Sequence, residues 1–128
     1  TELISVIYGT NNLVNDVQNL YLQEFENARI EYNNKQTRED RKIQNYLEHI
    51  SENSNRDLCC ELIIELGDMN FWQDKKKEYC YKMVQVYKEQ LQDFVTTVPQ
   101  FKIANAVIHF DETSPHLHII GIPIKERI

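Results

Sequence analysis

The chain has no apolar run approaching the roughly 20 residues that cross a bilayer. Residues 1–10 carry neither the basic flank nor the cleavage site of a secretory leader. Cysteine is scarce: Cys59, Cys60 and Cys80 are an odd set containing an adjacent pair. Such a set does not build a disulfide scaffold, so a reduced, cytosolic setting is expected, with the thiols buried as small hydrophobes. Basic excess is also lacking. The 14 Lys and Arg face 20 Asp and Glu, a formal charge of −6, which argues against a broad phosphate-binding surface. Internal repeats and low-complexity tracts are absent.

What remains is ordinary globular composition, 41% apolar and 27% charged over 128 residues, enough for one domain with a buried core. Basic residues do gather locally, at Lys35, Arg38, Arg41 and Lys42 and again at Lys75, Lys76 and Lys77. Leu3 to Tyr8 reads as a short strand. Gly9 to Asn12 breaks it, and Asn12 is placed to cap a helix. Leu13, Val17, Leu20, Tyr21, Phe25, Ala28 and Tyr32 then follow at helical spacing. Asn33 and Asn34 weaken that helix, and a second begins near Thr37 with Ile43, Tyr46, Leu47 and Ile50 on one face. Residues 12–51 therefore form a helical arm.

Leu58 to Leu66 is a compact apolar run expected as a buried strand. A long helix is expected from about Phe71 to Val95, its stripe formed by Cys80, Met83, Val84, Tyr87, Leu91, Phe94 and Val95. Phe101 to Phe110 and His116 to Ile124 alternate as strands. The order predicts an α+β fold, an antiparallel sheet with helices packed on one face, whose core spans residues 58–124.

Three of the four histidines crowd into this last strand pair. His116 and His118 are two apart and leave the same face of a strand. If His109 pairs with His116, His118 faces Val107, and all three imidazoles converge. Three neutral imidazoles on one rigid hairpin make a divalent-metal site with positions left open for a substrate oxygen. Asp111 and Glu112, at the turn, are placed to fix an imidazole tautomer, to add a ligand, or to take a proton from a nucleophile. His49 lies off its helix stripe and is expected at the surface.

His109, Asp111, Glu112, Pro115, His116 and His118 match six fixed positions of a ten-residue signature. In this the chain resembles the plasmid mobilisation relaxases of the Mob/Pre (MobV) family, within the HUH endonucleases. The likeness extends upstream, through Tyr32 to Arg38 with Asp40 and Arg41, through Leu62 to Ile64, and through Ala106 to His109, covering most of the chain from about Asn12. The resemblance implies an HUH-type antiparallel sheet with flanking helices. It implies Mn²⁺ or Mg²⁺ held by His109, His116 and His118, with Glu112 and Asp111 as supporting carboxylates. It further implies nicking of a single-stranded or hairpin plasmid origin DNA in the bacterial cytoplasm. A side-chain nucleophile would become covalently attached to the DNA 5′ end. On this likeness Lys35, Arg38, Arg41 and Lys42 are assigned to DNA phosphates.

One departure is large. The family's nucleophile is a histidine near the N-terminus, and this chain has no histidine before His49. Residues 1–128 are therefore expected to be one relaxase-like domain lacking the nucleophile region, and any homodimer would form through regions outside them. Tyr8 is the one tyrosine near the start, a candidate nucleophile whose ordinary role would be a strand aromatic. The alternatives are a non-catalytic origin-binding relic, or an unrelated three-histidine hydrolase of a small phosphoester.

Overall fold

The structure is a computed structural model that describes residues 4–52, 57–67, 82–110 and 114–124. Its elements in order are β1 (Ile4–Tyr8), α1 (Leu13–Asn34), a single 3-10 turn (Glu39–Arg41), α2 (Tyr46–Ser51), β2 (Cys60–Glu65), α3 (Met83–Thr97), β3 (Phe101–His109) and β4 (His116–Pro123). The four strands form one antiparallel sheet in the order β1-β3-β4-β2.

Local chemistry sets the boundaries. The Asn12 side chain accepts from the Asn15 N–H and starts α1, as the sequence suggested. Gly9 makes the preceding turn at φ +84, where a Cβ would lie 2.8 Å from both the Ala104 carbonyl oxygen and Asp16 Oδ2, so only glycine fits. α1 stops at Asn34, and Asn33 then takes both the N–H and the carbonyl of Ile43 onto its side chain. That clamp folds the basic loop back on the helix. The second helix is consequently shorter and later than expected, with Ile43 preceding it rather than lying on its face.

Alternation along β4 divides the core in two. Leu117 and Ile119 project to one face and join Ile103, Ala106 and Ile108 beneath Tyr87 and Leu91 of α3. Ile122 projects to the other face and joins Ala104 with Leu20 and Tyr21 of α1 and Ile50 of α2. A bulge between Ile103 and Asn105 inserts Ala104 and turns it toward α1. The α+β class and the antiparallel sheet hold. The helices, expected on one face, are shared between both, because β4 is apolar on its two sides near its end.

Two further expectations change. β2 is an edge strand, largely exposed and with Ile63 54% accessible, where a buried strand was expected. It has a neighbour on one side only, and Glu61 and Glu65 flank its apolar residues Leu62 to Ile64. The α1 stripe is buried only at its centre; Leu13 and Tyr32 are exposed at its ends. The described part of the long helix buries Tyr87 and Leu91 while Val95 stays exposed. The first half expected for that helix, with Cys80 and the three lysines at 75–77, lies outside the described residues. Cys59 is half-buried and Cys60 exposed, both as free thiols. Cys59 thus meets the expectation of a core thiol in part, and Cys60 does not.

Candidate metal centre on the β3–β4 hairpin

The hairpin takes the register that its alternation required. His109 pairs with His116, and Val107 with His118. All three imidazoles therefore leave one face, the face that α1 and α2 cover only toward the far, Ile122 end of β4. The rings of His109 and His118 lie 4.1 Å apart between centroids, and those of His116 and His118 lie 6.2 Å apart. The His116 and His118 side chains are mostly buried, at 16% and 17% accessible.

β2 completes the site with residues whose place the sequence alone does not reveal. Glu65 pairs with His116 and Ile63 with His118, so Glu61, Ile63 and Glu65 share the histidine face. Glu65 Oε2 is 3.2 Å from His116 Nε2, and Glu61 Oε2 is 3.6 Å from His118 Nδ1. Ser114 is buried, donates its hydroxyl to Glu65 Oε1 at 2.6 Å, and presents its carbonyl to His116 Nδ1 at 2.7 Å. A signal was present in the period-two spacing of Glu61, Ile63 and Glu65. It becomes readable only once β2 is known to lie beside β4, a pairing across more than fifty residues.

α3 holds this region from below. Tyr87 is fully buried; its hydroxyl donates to the Pro115 carbonyl at 2.8 Å and accepts from the Leu66 N–H at 3.2 Å. Burial raises its pKa, with the Leu66 bond opposing that and Glu65 adding to it. One phenol thus ties the residue before His116 to the residue after Glu65.

The donor chemistry suits a divalent cation. Nε2 of His118 is buried and has no hydrogen-bond partner among the described residues, an arrangement that costs free energy unless something accepts its lone pair or proton. As the side chains stand, no group of three or more His, Cys, Asp or Glu among the described residues is arranged to hold a metal ion. The fit is therefore one of face, residue type and an orphaned nitrogen, while the donor atoms do not meet at a single point. Asp111 and Glu112 lie outside the described residues.

The other expected residues are elsewhere. Tyr8, half-exposed, pairs with Ala106 at the end of β1 remote from His109. Four residues of strand from Ile4, the partner of His109, put it about 13 Å along the sheet. There it lines a cleft between α1 and α3 of about 450 Å³. Lys35 follows α1, while Arg38 pairs with Asp40 at 2.7 Å and Lys42 with Glu39 at 2.8 Å. The basic cluster is thus half neutralised by its own loop, and exposed pairs of this kind contribute little stability. Arg41 is exposed, as is His49, which stacks on Tyr46. No hydrogen bond or ion pair among the described residues joins this loop to the hairpin.

An antiparallel sheet that presents three histidines from its central hairpin defines a relaxase-like class of protein. The chain belongs to the Mob/Pre family of plasmid recombination enzymes, whose family model matches residues 9–127. No curated protein and no solved structure gave a match. No helix among the described residues is long and apolar enough to cross a membrane.

Proposed function

We propose that the chain is the metal-binding core of a DNA-nicking relaxase, acting on a single-stranded or hairpin plasmid origin. The observation that carries the reading is the hairpin register, which sets His109, His116 and His118 on one face with an orphaned, buried His118 Nε2. Membership of a plasmid recombination family supports the substrate class.

Held by the three histidines, a Mn²⁺ or Mg²⁺ ion would supply positive charge against a non-bridging oxygen of the scissile phosphate. The protein's own task is to orient those imidazoles. The Ser114 carbonyl does so for His116 by accepting a hydrogen bond from Nδ1–H, and Glu61 stands beside Nδ1 of His118. In the nicking step a side-chain nucleophile bonds to phosphorus and the DNA 3′ oxygen leaves, giving a covalent 5′-phospho-protein and a free 3′ hydroxyl. Asp111 and Glu112 are the carboxylates proposed to receive the nucleophile's proton. Lys35, Arg38, Arg41 and Lys42 remain the proposed phosphate contacts, with Lys35 and Arg41 both exposed.

A second reading, origin binding without cleavage, is favoured by one observation: Tyr8 is far along the sheet from the histidines. Incubating the chain with Mn²⁺ and end-labelled origin DNA separates the two. A protein–DNA adduct surviving denaturation supports nicking by this chain. Retarded mobility in a native gel with no adduct supports the binding module. Absence of both adduct and retardation sinks the DNA reading.

A further inference from the structure

We propose that the cleft between α1 and α3 takes an extended, acidic peptide as an added strand beside β3. This site is remote from the histidines and independent of any metal they hold.

β1 pairs with Ala106 to His109 of β3 and ends at Tyr8. Phe101 to Ile103 lie beyond that pairing. They pair with Pro123 to Gly121 of β4 and have no strand on their other side among the described residues. The Ile124 N–H donates to the Gln100 carbonyl at 2.8 Å, which sets the phase of the ladder. Lys102 and Ile122, two residues on, repeat that phase. Phe101 and Ile103 between and beyond them therefore turn their backbone groups away from β4. The Phe101 carbonyl and the Ile103 N–H are thus free to meet another main chain. All three residues line the cleft, whose volume is about 450 Å³. Open ladder at the back of a cavity is a seat for an extended backbone.

The walls suit side chains that alternate between two faces. Ile7, Leu91 and Val95 line the cleft on the α3 side, and Leu20 lines it on the α1 side. Its charged residues are Lys88 on α3, Lys102 on β3 and Glu24 on α1. Lys102 pairs with Ile122, which projects toward α1, so one lysine stands on each face of the open edge. Neither lysine is in an ion pair among the described residues. A chain of formal charge −6 thus presents a cleft lined by two cations and one anion. An acidic residue of an incoming strand meets a lysine whichever face it points to. Nucleic acid fits less well, because two lysines beside a glutamate offer few phosphate contacts.

The rival is an edge that water and Lys102 simply guard. A phage-displayed library of random octapeptides, panned on the chain and on its Val95→Trp and Gln92→Trp variants, separates the two. Both positions are exposed, so tryptophan there fills the cleft without entering the core, and circular dichroism checks each fold. The expected result is enrichment of peptides that combine Asp or Glu with alternating apolar residues, lost on both variants. A synthetic copy of the most enriched peptide should slow hydrogen exchange at the Ile103 N–H. Lys88→Glu/Lys102→Glu should weaken its binding about tenfold or more. No enrichment, enrichment without acidic residues, or enrichment that the tryptophan variants retain overturns the proposal. Self-association of the chain that these variants abolish would assign the cleft to a second copy and overturn it too. Oligothymidylate binding lost in the same variants would assign it to nucleic acid, with the same consequence.

Discussion

Tyr87 shows how much of the candidate site depends on one atom away from it. Its hydroxyl holds the residue that precedes His116 and the residue that follows Glu65, and both bonds are lost on replacement by phenylalanine. The buried Pro115 carbonyl and the part-buried Leu66 N–H each lose that bond. Tyr87→Phe is expected to destabilise the fold by about 1–3 kcal/mol in urea denaturation. A loss below a few tenths would show that the phenol is only a space-filler. From its position the sequence marked Tyr87 as a packing residue on the long helix, which it is. The polar half of its role needed the fold, because Leu66 and Pro115 are far from it in the chain. The same holds for Glu61 and Glu65. Their types suited a metal site, but they sat in a run read as a buried strand, and only the β2–β4 register brings them to the histidines.

At the scale of elements, the turn from β1 into α1 is stapled to the β3 bulge by a buried polar knot. Asp16 accepts from the Thr10 N–H, the Thr10 hydroxyl and the Asn105 amide, each at 2.9 Å. Burial pushes its carboxyl upward in pKa, but the three hydrogen bonds outweigh that and hold it below the usual 3.8. A depressed carboxylate pKa stabilises the fold above the unfolded value and loses that contribution as the pH falls through the folded value. Acid titration of stability should therefore steepen below pH 3.8 in the wild type and flatten over that window in Asp16→Asn. Identical acid profiles for the two proteins would falsify the role given to Asp16. The start of α1 and the β3–β4 hairpin were legible here because their determinants are local: Asn12 reads three residues ahead, and period-two alternation places the histidines. The division of helices between the two sheet faces was not. It depends on the strand order and on the bulge at Ala104, neither of which leaves a local mark.

For the whole molecule, a formal charge of −6 sits uneasily with a DNA substrate until the carboxylates are located. Glu39 and Asp40 stand against Lys42 and Arg38 of the basic loop, so part of the negative charge is offset locally. A cation bound on the histidine face would offset more of it and raise the potential where a phosphate must approach. Family membership over residues 9–127 fixes the biological context as plasmid recombination. In the proposed reaction the metal is the step on which the chemistry turns. The most direct measurement is Mn²⁺ binding by calorimetry at neutral pH, comparing the chain with its His116→Ala/His118→Ala variant. Saturable binding by the wild type, lost in the folded double variant, is the predicted result. Absence of binding by the wild type, or equal binding by both proteins, would contradict a metal centre on the β3–β4 hairpin.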